Sequence, residues 1–150
     1  MKNLKPIMDG LWTSGQPTAD ELRNSAGQFK TIVNLRMEDE SGLVPTEERL
    51  VEDAALHYAP IPVSPATLDD ASVERFSQAL GSEDSTPALI HCQGGGRAGV
   101  MTLMHLAVTH GWSLERTLEE GERLDIGPAD DSPYRSFFDG YIKRHSAGER

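Results

Sequence analysis

The chain predicts an α/β domain, with a mainly parallel sheet of about four to five strands flanked by helices on both faces. Two observations predict it. Short runs rich in β-branched residues alternate with segments of helical period from Leu11 to Ile142. The apolar stretch Pro87-Ala88-Leu89-Ile90 also passes through a glycine-rich turn into a second one, Val100 to Val108, so a buried strand feeds a buried helix.

In order along the chain, Met8 to Gly15 reads as a turn and a short strand. Thr18-Ala19-Asp20-Glu21 has the spacing of a capping box and starts a helix that stops near Gly27. Phe29 to Leu35 is β-branched and reads as a central strand, followed by the acidic loop Met37 to Gly42. Pro45-Thr46-Glu47-Glu48 opens a second helix, with Leu50, Val51 and Ala54 on one face. His57 to Val63 is a strand that prolines end. Thr67-Leu68-Asp69-Asp70 caps a helix bearing Val73, Phe76 and Leu80. After a polar loop, Gly81 to Pro87, come the cysteine strand and its helix, which ends near Gly111. Ser113 to Gly121 and roughly Pro133 to His145 make two more helices. No linker or repeat interrupts this order, so residues 1–150 read as one domain, with 1–8 and 146–150 as frayed ends.

Composition narrows the function. A formal net charge of −10 argues against nucleic acid or anionic membrane as a partner. No apolar run has the length of a membrane span or a secretory core. The single cysteine excludes an internal disulfide and suits a reducing cytoplasm. The five histidines and one cysteine form no metal-ligand spacing, and no cofactor is implied.

The informative stretch is His91-Cys92-Gln93-Gly94-Gly95-Gly96-Arg97-Ala98-Gly99. Glycines let backbone N–H groups converge on one point at a helix N-terminus, where an anion binds. The same field favours a thiolate and makes Cys92 nucleophilic. Arg97 offers a planar fork for two oxygens of a tetrahedral anion.

This stretch resembles the signature loop of cysteine-dependent phosphatases, His-Cys-x5-Arg-Ser/Thr, with two departures. Four residues separate Cys92 from Arg97, and Ala98 stands at the hydroxyl position. The short spacing is similar to a bacterial family of protein-tyrosine and dual-specificity phosphatase-like domains, some of them fused to β-lactamase-fold hydrolases. Ser14-Gly15-Gln16-Pro17-Thr18, Thr31 to Arg36 and Tyr58 to Val63 also resemble that family, over roughly residues 10–110. The resemblance implies a phosphatase-like fold in which Cys92 attacks phosphorus and Arg97, with the backbone of Gln93, Gly94, Gly95 and Gly96, binds the phosphate. His91 supports the loop.

The leaving group then needs a general acid. In the resembled enzymes it lies on the loop that follows the strand before the signature strand, here Ser64 to Thr67, whose end points to Asp69, with Asp70, Asp39 and Glu40 as alternatives. Asp69 and Asp70 also suit a helix N-terminus without any chemistry. Arg36 either positions the acidic loop or extends the anion site.

The expected substrate is a phosphorylated protein or a small phosphoester, with no phosphoinositide-directed lysines in the loop. Two other readings use the same cradle. A rhodanese-like sulfurtransferase would take thiosulfate through a Cys92 persulfide and needs no general acid. A non-catalytic module would simply bind an oxyanion.

Overall fold

The computed structural model describes residues 1–146. A five-stranded sheet of β1 (Lys5–Pro6), β2 (Leu11–Ser14), β3 (Thr31–Asn34), β4 (His57–Pro60) and β5 (Ala88–His91) has the order β1-β2-β5-β3-β4. All neighbours run parallel except β1, which pairs antiparallel with β2 at the edge. β5 lies between β2 and β3 and is fully buried, which suits its unbroken apolar run Ala88-Leu89-Ile90.

Helices cover both faces, as the sequence predicts. The two-residue period of the strands sorts their side chains. Ile32 and Leu89 point to one face, where Leu22, Phe29 and Val51 complete a small core under α1 (Ala19–Arg23) and α2 (Glu47–Asp53). Val33, Ala88 and Ile90 point to the other. There α3 (Asp70–Ala79), α4 (Gly96–His110), α5 (Leu114–Leu124) and α6 (Arg135–His145) build the larger core around Phe76, Met101, Met104 and Phe138. α4 is apolar nearly all round because it lies beneath this layer, and its turn Val100 to Leu103 is buried.

The local signals fold as their chemistry directs. Thr18 and Glu21 form a reciprocal capping box at the start of α1. Ser113 caps α5 by accepting from the N–H of Arg116. Gly111 ends α4 in the left-handed conformation, with φ 69°.

The N-terminal segment differs from the expected frayed end. Besides forming β1, it gives the carbonyl of Lys2 to the N–H of Gly15, and Asn3 Nδ2 donates to the carbonyl of Gly94 at 2.8 Å. At the other end Ser146 is buried, and the rest of the expected fray lies outside the described residues. No helix among the described residues is long and apolar enough to cross a membrane.

The register prepares the site. Ser14, His91, Asn34 and Pro60 pair across four strands at the same level, so all four parallel strands end in one row. The residues that follow each strand, including Gln16, Arg36, Val63 and Cys92, leave the sheet on its carboxyl rim, where α/β folds place ligands.

Candidate active site

Cys92 leaves β5 directly at this rim. Its N–H donates to the carbonyl of Ser14 at 3.4 Å, and its Sγ accepts from the N–H of Gly95 at 3.1 Å. The chain can aim that N–H at the sulfur because Gly95 has φ 107°, which residues with a Cβ rarely adopt. Gly94 and Gly96 differ: a Cβ at either meets no atom within 4 Å, so neither is required by crowding. Cys92 is 1% exposed, so the sulfur sits on the floor of the loop, while Gln93, Gly94 and Gly96 are open to solvent above it.

Arg97, in the first turn of α4, is fixed by two groups. Its Nη1 donates to Glu40 Oε2 at 2.6 Å and to the carbonyl of Val63 at 3.1 Å; its Nη2 donates to Glu40 Oε1 at 2.9 Å. These bonds engage the end of the guanidinium. They leave the edge that carries Nε–H and the second Nη2–H, a pair spaced to match two oxygens of a tetrahedral anion. Ala98, at the hydroxyl position of the resembled motif, is wholly buried.

Glu40 is therefore an anchor, not a proton donor. Besides Arg97, it accepts from Arg36 Nε at 3.0 Å and from the N–H of Met37 at 2.6 Å. Arg97, foremost among these donors, lowers its carboxyl to about 2. Arg36 is 4% exposed. It holds the acidic loop through Glu40 and the carbonyls of Ser41 and Gly42 and ties it to Gln16 Oε1, an arrangement that fits the positioning role of the two expected.

Asp69 does not have the setting of the general acid the resemblance implies. Its carboxylate caps α3, accepting from the hydroxyl of Ser72 at 2.8 Å and from its N–H at 2.9 Å. The Ser72 hydroxyl and N–H hold its carboxyl below the usual range, which favours the ionised form over a proton donor. The reading of this carboxylate as a helix cap is the one the geometry fits. Asp70 pairs with Arg144 at 2.6 Å, and Asp39 is exposed on the loop surface.

His91, to which the resemblance assigns support of the loop, has a buried partner. Its Nε2 lies 2.6 Å from Glu47 Oε2, with both side chains almost fully buried. Glu47 also accepts from Gln16 Nε2 at 2.9 Å. Of the other four histidines, His105 bonds Ser77, His110 pairs with Asp9 and stacks on Trp112, His145 lies tilted against Tyr141, and His57 is exposed on β4.

Sequence reasoning missed three residues here. Glu47 and Gln16 are partners that no spacing to Cys92 announces. Tyr134, the N-cap residue of α6, places a half-buried phenol in the electrostatic field of Arg97, Cys92 and Glu40, and burial raises its phenol above the ordinary range. The presence of an aromatic in the last helical segment is visible in the sequence; its approach to the loop is not.

Comparison with known proteins agrees with this arrangement. Residues 11–133 match the family model described as the Swiss Army Knife protein, DSP-PTPase phosphatase domain. The chain is 35% identical over 125 residues to the beta-lactamase hydrolase-like protein of Agrobacterium fabrum, an overlap of 81% of this chain and 27% of that protein. It is 28% identical over 132 residues to the dual specificity protein phosphatase TpbA of Pseudomonas aeruginosa, covering 86% of this chain and 57% of that one. The chain thus spans about a quarter of the length of the beta-lactamase hydrolase-like relatives, 27% and 22%.

Among solved structures, a DUF442 protein of Shewanella putrefaciens superposes with a TM-score of 0.80 at 17% identity, over 97% of this chain and 95% of that one. Tk-PTP in its active form superposes with a TM-score of 0.71 at 26% identity, over 94% and 97%. With the nucleophile strand, loop and arginine in place and most of its length matched, this chain belongs to the Swiss Army Knife DSP-PTPase phosphatase domain family.

Proposed function

We propose that this domain is a cysteine-dependent phosphatase that hydrolyses phosphomonoesters through a cysteinyl-phosphate. The observation that carries the reading is the relation of Cys92 to Arg97: a sulfur under the N–H of Gly95, beside a guanidinium fixed at one end and open along its Nε edge. The Cys92 thiolate attacks phosphorus, the bond to the ester oxygen breaks, and the S–P bond forms. Arg97 and the loop N–H groups hold the phosphoryl oxygens as charge shifts among them. Water then attacks phosphorus, the S–P bond breaks, inorganic phosphate leaves and the thiolate is restored.

The carboxylates favour a substrate class. Asp69 is tied into a helix cap, and Glu40 into two arginines. A leaving oxygen that receives no proton from either must be stable as an anion, and a phenol, with a pKa of about 10, meets that need better than an alkyl alcohol. Aryl phosphates, phosphotyrosine among them, are therefore the substrates this site suits. The similarity to TpbA, called a dual specificity protein phosphatase, points the same way. A lone nucleophilic cysteine works only when reduced, which supports a cytoplasmic setting.

The test is steady release of p-nitrophenol from p-nitrophenyl phosphate, abolished in Cys92→Ser. Turnover that survives Cys92→Ser would reject the reading. So would an unaltered protein with no turnover whose Cys92 gains the mass of one sulfur atom from thiosulfate.

A further inference from the structure

Gln16 stands where four segments of the site meet. Its N–H donates to the carbonyl of Gln93 at 3.1 Å, so its backbone is already fastened to the signature loop. Its side chain reaches two further elements. The amide oxygen accepts from Arg36 Nη1 at 2.9 Å, and the amide nitrogen donates to Glu47 Oε1 at 2.9 Å and to the carbonyl of Pro17 at 3.0 Å. A guanidinium only donates and a carboxylate only accepts, so the amide has one orientation that satisfies both. Glutamine joins the cation to the anion without adding a charge.

One branch ends at a reacting group and the other at the residue beside one. Through Arg36 the chain of bonds runs to Glu40 and on to the guanidinium of Arg97. Through Glu47 it runs to the imidazole of His91, the residue before Cys92. Both branches are largely enclosed: Arg36, Glu47 and His91 are each 4% exposed or less. Few waters can replace a lost partner there, so a break in one link displaces the next.

We propose that Gln16 is a positioning residue that sets the nucleophile strand and the phosphate-binding arginine in one geometry. It touches no substrate and acts through Arg36 and Glu47. The inference rests on the reading of Cys92 and Arg97 as the reacting pair.

The test turns on hydrogen-bond polarity. Gln16→Glu keeps the shape and the acceptor for Arg36 but sets a carboxylate against the carboxylate of Glu47. Gln16→Met keeps the length and removes all three side-chain bonds. In the double exchange Gln16→Glu with Glu47→Gln, the new amide at 47 donates to the new carboxylate at 16 and accepts from His91. The links to Arg36 and His91 and the net charge are then restored, and only the donation to the carbonyl of Pro17 is lost.

Three readouts are taken: p-nitrophenyl phosphate turnover, the affinity for inorganic phosphate by calorimetry, and the alkylation rate of Cys92 by iodoacetamide at fixed pH. Gln16→Glu and Gln16→Met are expected to lower kcat about tenfold or more, the scale of a displaced reacting group, and to weaken phosphate binding and alter alkylation. The double exchange is expected to recover most of each loss. Single variants equal to the unaltered protein in all three readouts would overturn the proposal, as would a folded double exchange no better than Gln16→Glu. Should Gln16→Met not fold, the near-isosteric pair decides. An unaltered protein without aryl-phosphate turnover sinks the phosphatase reading instead, and phosphate binding and alkylation then still decide the role of Gln16.

Discussion

Glu40 grips Arg97 at two points, Oε2 on Nη1 at 2.6 Å and Oε1 on Nη2 at 2.9 Å, and so leaves the edge that carries Nε–H outside the pairing. Glu40→Gln should lower both stability and activity, because it leaves the buried Arg36 without its carboxylate; the loss on breaking such a pair is about 3 kcal/mol. The effect is pH-dependent with a defined sign. Its partners, Arg97 foremost, lower the carboxyl from the ordinary 4.5 to about 2 in the folded protein, so folding favours the ionised form. That contribution is complete above 4.5 and is lost as pH falls toward 2. Urea unfolding of both proteins at several pH values should show a gap that is full at pH 6 and closes toward pH 2. A gap constant with pH would detach Glu40 from this pairing.

Arg97→Lys keeps the charge and removes the fork. One ammonium can satisfy Glu40 but cannot also present two parallel donors to phosphate. Turnover should fall on the order of a hundredfold, comparable to the loss of one preorganised oxyanion donor. Equal turnover and equal phosphate affinity in the variant would remove Arg97 from the chemistry.

Gly95 and Gly94 should separate cleanly. Gly95→Ala forces a Cβ into a conformation with φ 107°, at a cost of about 1–2 kcal/mol, and turns the N–H away from Cys92 Sγ. Gly94→Ala meets no atom within 4 Å and should leave stability unchanged. Thermal unfolding of the two variants checks this; equal losses would mean that the loop's conformation is not what Gly95 supplies.

Asp69→Ala should lower the melting temperature through the lost cap of α3 while leaving the basic limb of the pH–rate profile, where the loss of a proton donor would show, where it was. Asp69→Ser, which still accepts from the N–H of Ser72, should restore stability. A large fall in kcat, restored by neither serine nor asparagine but absent with highly activated leaving groups, would return Asp69 to the role of general acid.

How much of this is legible in the sequence follows from where its partners lie. The strand, loop and helix around Cys92 are contiguous, and so are the Thr18–Glu21 box and the cap at Asp69, so local chemistry reveals them. β1 is two residues long, held by one pairing with β2 and by contacts to distant loops, and carries no periodicity to find. Glu40 is visible as an acidic residue near the site. Its contact with Arg97, 57 positions away, inverts its meaning from acid to anchor. The Gln16–Glu47–His91 branch joins residues 31 and 44 positions apart, and only the shared level of the strand ends brings them together.

The central place of β5 has a consequence for the order in which the molecule loosens. Its amides are bonded to β2 on one side and β3 on the other, so Leu89 to His91 can exchange with heavy water only when the whole sheet parts. Glu40 rides instead on a surface loop whose ties are a few side-chain and turn bonds. The sulfur thus sits on the part of the chain that opens last, and the clasp of its arginine on a part that opens early. Local breathing of residues 37–42 would loosen the hold on Arg97, and with it the phosphate site, while the nucleophile's strand stays closed.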